Sequence, residues 1–133
     1  ISHLRYLMEN GFMIGAHGYD HTLFSGLNET GMKEQLNKST EWLNRNLGVS
    51  ELTFAFPFTD DGISSGFFRW MYDEAGISLS FGTAGLKHEK SGQHLQRIAM
   101  EKRNFRSAGQ ILGEEYGYYF LRSIFGKNKI AGR

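Results

Sequence analysis

Apolar side chains recur at helical spacing in four stretches of the chain, and residues that commonly begin or end helices flank these stretches. Asn28 can cap a helix N-terminus, and Gly48 is suited to end the same helix in a left-handed conformation. Ser107 and Gln110 have the spacing of a capping box. The predicted helices are residues 2–10, 28–47, 64–76 and 107–126.

Short continuous apolar runs lie between the helices and predict β-strands. The predicted strands are residues 12–16, 52–56 and 77–81, with a short strand at 95–100 inside a polar stretch that otherwise reads as loop. Strands that alternate with helices favour a parallel sheet joined by right-handed crossovers. The pattern therefore predicts an α/β fold with parallel strands.

The composition narrows the function classes. A chain of 133 residues with 40% hydrophobic residues fits a single folded domain, residues 1–133. A net charge of +1 gives no basic footprint for nucleic acid, and no apolar run reaches the ~20 residues that cross a bilayer. Without cysteine, a metal would need histidine, carboxylate or water ligands.

The chain begins at Ile1 without an initiator methionine, so we expect it to be part of a longer protein. A signal peptide would lie outside it, which leaves the cellular location open. The last residues, 127–133, are basic and are expected to form a frayed tail.

Two histidines follow the first predicted strand directly. Residues 13–21 read MIGAHGYDH, which places His17 and His21 four residues apart just after an apolar run. Imidazole is the commonest protein ligand for transition metals, and strand ends are where α/β enzymes place their chemistry. The pair is therefore a candidate metal site, with surface or capping histidines as the alternative.

The order of these features resembles a known family. A helix, a glycine, an apolar strand, His-x-x-x-His, a leucine-containing loop and a long helix lead to a strand that ends in Phe-Ala-Phe-Pro-Phe, residues 54–58. This order is similar to the C-terminal portion of polysaccharide deacetylases, the NodB-homology domain or carbohydrate esterase family 4, over roughly residues 4–85. The resemblance implies a partial or distorted (β/α) barrel whose N-terminal strands are missing from this chain.

The same resemblance implies a function. A member of this family is a metal-dependent hydrolase that removes N-acetyl or O-acetyl groups from a carbohydrate by attack of metal-activated water. His17 and His21 would be ligands to a divalent metal, usually zinc. Phe58 would donate its backbone N–H to the oxyanion, and Asp20 and Pro57 would contact the substrate. Gly18 departs from the serine or threonine that usually follows the first histidine.

The carboxylates and the acid are less clearly matched. The family supplies its base and third metal ligand from an aspartate motif upstream of the histidine pair, which this chain does not contain. Asp60 and Asp61 imitate that motif downstream, either as a polar turn or as replacement carboxylates that face the metal. His94 is either the late general acid of the family or, more simply, a solvated loop histidine. The family arginine that steadies the base would fall near Ala55.

Two other interpretations remain open. A catalytically incomplete deacetylase-like domain could act as a carbohydrate-binding or assembly module, and an unrelated α/β hydrolase could share only the histidine pair. An incomplete barrel would also leave a sheet edge uncovered, which predicts a homo-oligomer.

Overall fold

The structure is a computed structural model and describes residues 1–89, 91–100 and 107–130. Within these ranges a single short 3-10 turn, Phe24–Gly26, accompanies the α-helices and β-strands. In chain order these are α1 (Ser2–Glu9), α2 (Glu29–Leu47), β1 (Leu52–Ala55), α3 (Ser65–Asp73), β2 (Ile77–Gly82), β3 (His94–Gln96) and α4 (Ala108–Ile124). The α/β class predicted from the sequence is confirmed.

The helix starts follow from local side-chain chemistry. The Asn28 carboxamide oxygen accepts the Gly31 N–H at 2.8 Å at the start of α2, and Ser64 accepts the Phe67 N–H at 3.1 Å at the start of α3. Ser107 and Gln110 form the predicted capping box at the start of α4. These contacts satisfy N–H groups that have no partner within the helix.

The sheet is open and parallel, in the order β1-β2-β3 within the described residues. The strand predicted at residues 12–16 is wrong: in that run only Ala16 pairs, by a single parallel bridge to Phe54. Phe12 and Met13 are 62% and 67% exposed, so no packing holds the start of this run in a sheet. The strand predicted at residues 95–100 is shortened to β3.

Four phenylalanines without exposed surface form the centre of the core. Phe24 packs against Phe54 at 5.2 Å and against Phe56 at 5.6 Å between ring centroids, and Phe67 lies 6.4 Å from Phe56. Aromatic rings contribute large buried areas and favour such tilted and edge-on arrangements. Because Phe24 lies on the loop after His21, the core fixes one end of the segment that carries the histidine pair.

The C-terminal segment contacts the loop at His88, and the frayed tail predicted for residues 127–133 stays a prediction. The His88 N–H donates to the Asn128 carbonyl at 2.7 Å, and the Ile130 N–H donates to the His88 carbonyl at 3.3 Å. Residues 131–133 of the predicted tail lie outside the described residues. Among the helices that the structure describes, none combines the length and apolar character needed to cross a membrane.

Candidate functional site

His17 lies at the C-terminal end of β1 and is oriented by the backbone of that strand. The preceding residue, Ala16, forms a parallel bridge with β1 and exchanges backbone hydrogen bonds with it. The His17 Nδ1 atom lies 2.7 Å from the Ala55 carbonyl oxygen. A carbonyl oxygen can only accept, so Nδ1 carries the proton and donates. In the neutral imidazole Nε2 then keeps its lone pair, which is the arrangement found in metal-ligating histidines.

His21 and Phe58 continue a row of rings that starts at His17. The His21 ring centroid lies 4.8 Å from that of His17 and 4.7 Å from that of Phe58. Both His21 and Phe58 have a φ of +58°, a conformation that is unusual for a bulky side chain such as phenylalanine. Backbone strain of this kind costs about 1–3 kcal/mol per residue and is concentrated at functional sites.

The ring and the backbone of Phe58 have different surroundings. Its side chain is 62% exposed, and its carbonyl accepts the Thr83 hydroxyl at 3.1 Å. No hydrogen bond within the described part of the chain uses the Phe58 N–H. This N–H is the group that the sequence predicted as an oxyanion donor, and that role stays a prediction.

Asp20 and Gln35 fix the loop between the two histidines. The Gln35 carboxamide oxygen accepts the N–H groups of Tyr19 and Asp20, both at 3.1 Å, and its nitrogen donates to the Asp20 carboxylate at 2.9 Å. The other Asp20 oxygen accepts the Thr22 N–H at 3.2 Å and the Thr22 hydroxyl at 2.5 Å. The loop is thereby attached to α2.

These contacts predict that the stability of the folded loop depends on pH. The pKa of Asp20 lies below its usual value. The largest cause is the hydrogen bond from Thr22, and the hydrogen bond from Gln35 also lowers the pKa. A carboxyl group with a lowered pKa stabilises the folded loop above its unfolded pKa of about 3.9, and this contribution disappears as pH falls through the folded pKa. We expect the amide resonances of Tyr19 and Thr22 to shift in acid in NMR spectra.

Asp20→Asn is the matched variant for this pH prediction. It cannot ionise, so its Tyr19 and Thr22 amide resonances should not follow that acid transition. An identical acid transition in Asp20→Asn would contradict the assignment. The substrate contact predicted for Asp20 stays a prediction.

Gly18 and Pro57 pack where the two loops meet. Gly18 has a φ of +77°, and a Cβ atom added there would lie 3.3 Å from both Phe24 and Pro57. Glycine fits this position because it adopts positive φ without a steric cost. The departure from the family's serine or threonine thus has a local reason. Pro57 is fully buried, and its predicted substrate contact stays a prediction.

Asp60 and Asp61 have different surroundings although they are adjacent. Asp61 is exposed, and its N–H donates to the Thr59 hydroxyl at 3.1 Å. Asp60 is 2% exposed, although residues 61 and 62 form the turn that the alternative interpretation predicted. Its carboxylate accepts the Thr83 N–H at 3.0 Å and the Gln96 amide at 3.1 Å. The roles predicted for both aspartates stay predictions.

His94 is buried in β3, so its interpretation as a solvated loop histidine is wrong. Its side chain is 2% exposed. Its Nε2 lies 3.0 Å from Asp60 Oδ2, and its Nδ1 lies 2.6 Å from the Ser80 hydroxyl. His94 provides a hydrogen-bond partner for the buried Asp60 carboxylate, which lies 34 residues earlier in the sequence. This contact explains why the histidine is buried. Its predicted role as general acid stays a prediction.

The Ser80, His94 and Asp60 side chains form a line that has the composition of a hydrolase triad. Ser80 has no exposed surface, and its hydroxyl is also 2.6 Å from the Tyr72 hydroxyl. A nucleophile must reach a substrate carbonyl, and this hydroxyl is enclosed. The line is therefore a buried structural network.

Asp60, Glu89 and His94 also form the group of three potential metal ligands in the described part of the chain, with ligand atoms within 4.8 Å of one another. Gln96 Nε2 donates to both carboxylates, at 3.1 Å to Asp60 and 2.9 Å to Glu89. The Ala84 N–H donates to Gln96 Oε1 at 2.7 Å, which fixes the orientation of the amide. Hydrogen bonds thus already hold this group together.

Two cavities meet at His17. The first, about 310 Å³, lies between the histidine segment and α2 and is also lined by Tyr19 and Trp42. The second, about 350 Å³, is also lined by Met13, Phe81 and Arg97. His17 is therefore accessible to a small molecule from two sides.

One comparison with known proteins gave a match. The family model described as polysaccharide deacetylase matches residues 2–77, which include the histidine pair, α2 and β1. Neither the curated proteins nor the solved structures that were compared gave a match.

Proposed function

The chain belongs to the polysaccharide deacetylase family, and on that basis we propose that it takes part in the hydrolytic removal of acetyl groups from a carbohydrate. In this reaction water adds to the acetyl carbonyl carbon, the bond from that carbon to nitrogen or oxygen breaks, the leaving atom takes a proton and acetate departs. The observation that carries the proposal is the orientation of His17 by the Ala55 carbonyl, beside His21 at the end of β1.

The histidine pair fits a divalent metal, most simply zinc. The Ala55 carbonyl holds the Nδ1 proton of His17 and leaves Nε2 for coordination, and His21 brings a second imidazole alongside. When bound, a divalent metal makes water a nucleophile near neutral pH and polarises a carbonyl oxygen. His17 and His21 supply two ligands, and neither belongs to the group of three potential ligands found among the described residues.

Phe58 is suited to bind the developing oxyanion. Its N–H donates to no acceptor among the described hydrogen bonds, and its ring contacts His21, which holds the loop next to the histidine pair. Because the donor belongs to the backbone, it does not depend on the identity of the side chain. A backbone donor placed in advance stabilises charge that appears only in the transition state.

We also propose that the open sheet is part of a distorted (β/α) barrel. Its three described strands are parallel and lie in sequence order, and α3 lies in the connection between β1 and β2. Parallel strands placed side by side in chain order are typical of barrels and of open α/β sheets alike. The deacetylase family favours the barrel.

Acetate release tests the proposed function. With zinc present, the chain is expected to release acetate from an N-acetylglucosamine oligosaccharide, measured by an enzyme-coupled acetate assay. His17→Ala with His21→Ala should abolish the release, whereas His3→Ala, which changes an exposed histidine on α1, should leave it unchanged. Release that is equal in all three proteins would contradict the assignment of the pair.

A carbohydrate-binding module without catalysis is the second candidate function. The observation that favours it is that the described residues give the histidine pair no carboxylate ligand. In that case the oligosaccharide would bind, as measured by calorimetry, and no acetate would appear with any divalent metal. Acetate release that depends on the histidine pair would exclude this alternative.

A further inference from the structure

Helix α4 is attached to the rest of the chain along one side. Ile111 is 2% exposed on this side, and the Tyr119 hydroxyl donates to the Ala84 carbonyl at 2.6 Å. Positions 112, 115 and 122 fall on the same side at 3.6 residues per turn, and they are half-buried. The residues that attach α4 thus share one side of the helix.

The opposite side of α4 is exposed and largely apolar. Six large apolar side chains, which we call the α4 patch, are 52–73% exposed there: Tyr116, Tyr118, Phe120, Leu121, Ile124 and Phe125. An aromatic side chain offers about 150–250 Å² of surface, so the four rings alone expose roughly 500 Å². The two aliphatic side chains bring the patch near the ~800 Å² that each partner buries in a standard protein–protein interface. The patch is therefore large enough for a stable dimer.

The shape of this side of α4 changes along the helix. Gly113 and Gly117 lie one turn apart, and a Cβ atom added at either would meet nothing within 4 Å. Phe120 and Ile124 continue the same row, because residues three or four apart share one side of a helix. The first half of the row is therefore a shallow groove, and the second half is a ridge of bulky side chains.

A groove and a ridge in one row are complementary to a second copy of that row that runs in the opposite direction. In that arrangement the partner's Ile124 lies against Gly113, and the partner's Phe120 lies against Gly117. A parallel pair would instead place ridge against ridge and groove against groove. We propose that two copies of this chain form a homodimer through the α4 patch, with the two α4 helices antiparallel.

The charges along α4 favour the same direction. The exposed Glu114 lies in the first half of the helix, whereas the exposed Lys127 follows its end. Residues 116–133 include cations and no acidic residue. Antiparallel helices bring the basic end of each copy toward the acidic half of the other, whereas parallel helices align like charges. This interface is distinct from the sheet edge to which the sequence analysis assigned self-association.

Sedimentation equilibrium tests the interface. The natural chain is expected to dimerise with a Kd on the order of micromolar, and a monomer up to about 1 mM would overturn the proposal. Phe120→Ser should weaken dimerisation at least about tenfold, because a few large side chains near the centre of an interface carry most of the binding energy. Tyr6→Ser removes a ring that is 64% exposed on α1 and should leave the Kd unchanged.

Filling the groove gives a sharper test than removing the ridge. Gly117→Leu adds a side chain where a Cβ atom meets open space, and leucine favours a helix more than glycine does. The monomer should therefore keep its fold, as circular dichroism would show, while the Kd for dimerisation rises at least about tenfold. Stronger association of Gly117→Leu would indicate unspecific hydrophobic contact and would overturn the proposal.

Cross-linking tests the direction of the helices. The chain has no cysteine, so Gly113→Cys and Ile124→Cys each introduce a single thiol. A short bismaleimide should link the two variants to each other in a mixture far more efficiently than it links either variant to itself. Self-linking of each variant that is as efficient as linking in the mixture would contradict the antiparallel arrangement.

Two other contacts are separated by the same variants. A chain that stays monomeric and sediments with phosphatidylglycerol vesicles, and that no longer does so as Phe120→Ser, would assign the α4 patch to a membrane surface and overturn the dimer. A dimer that persists unchanged in both Phe120→Ser and Gly117→Leu would form elsewhere, for example at the sheet edge, and would also overturn the proposal. These measurements need neither metal nor substrate, so their outcome is independent of the proposed function.

Discussion

Replacing Asp60 by alanine is expected to lower the free energy of unfolding by about 3 kcal/mol, because it removes the acceptor shared by one buried and two half-buried donors. These donors are the Thr83 N–H, the His94 Nε2–H and the Gln96 amide, each of which contacts the Asp60 carboxylate at 3.0–3.1 Å. Each unsatisfied buried donor costs about 1–3 kcal/mol. Urea denaturation followed by circular dichroism measures the change.

Asp61 provides the matched control for this prediction. It is the adjacent aspartate, it is exposed, and its side chain takes no part in the network around Asp60. Asp61→Ala should therefore change the free energy of unfolding by no more than about 0.5 kcal/mol. Asp60→Asn, which keeps one acceptor oxygen, should fall between the two. Equal stabilities for Asp60→Ala and Asp61→Ala would show that the network does not stabilise the fold.

The network also shows why Asp60 was difficult to interpret from sequence. Thr59, Asp60, Asp61 and Gly62 have the composition of a polar turn, and such a turn is normally solvated. The partner that makes Asp60 a buried residue is His94, which lies 34 residues further along the chain. A single sequence contains no signal for this pairing. The inward-facing Ser80 on β2, a polar residue in an apolar strand, was the nearest hint.

Local features were predicted correctly where their causes are local. Asn28 and Ser107 cap α2 and α4 as expected, since a cap requires only a side chain and an N–H two or three residues away. A strand instead requires a neighbour along its length. Residues 12–16 have the composition of a strand, yet only Ala16 finds a partner in β1.

The histidine pair could be located from sequence, but its orientation could not. The strand predicted before His17 is absent, but the single Ala16–Phe54 bridge still places His17 beside the end of β1. His17 and the Ala55 carbonyl, which it contacts, lie 38 residues apart in the sequence. Tyr19 and Gln35, which attach the loop to α2, lie 16 residues apart. Tertiary structure determines which nitrogen of His17 is left for a ligand.

Zinc binding is the prediction that bears most directly on this orientation. Titration calorimetry of the chain with zinc chloride should show one site, and His17→Ala or His21→Ala should each weaken binding at least about 100-fold. Loss of residues that only support a ligand costs 10–100-fold in metal affinity, so loss of a ligand should cost about that or more. Gln35→Ala, which frees the loop between the histidines, should weaken binding by about tenfold.

Controls distinguish this site from the other group of potential ligands. His3→Ala changes an exposed histidine on α1 and should leave the affinity for zinc unchanged. Glu89→Gln changes the group formed by Asp60, Glu89 and His94 without touching the histidine pair, and it should also leave the affinity unchanged. If Glu89→Gln abolished binding while His17→Ala and His21→Ala did not, zinc would bind at that buried group. That result would contradict the metal-binding role proposed for the histidine pair.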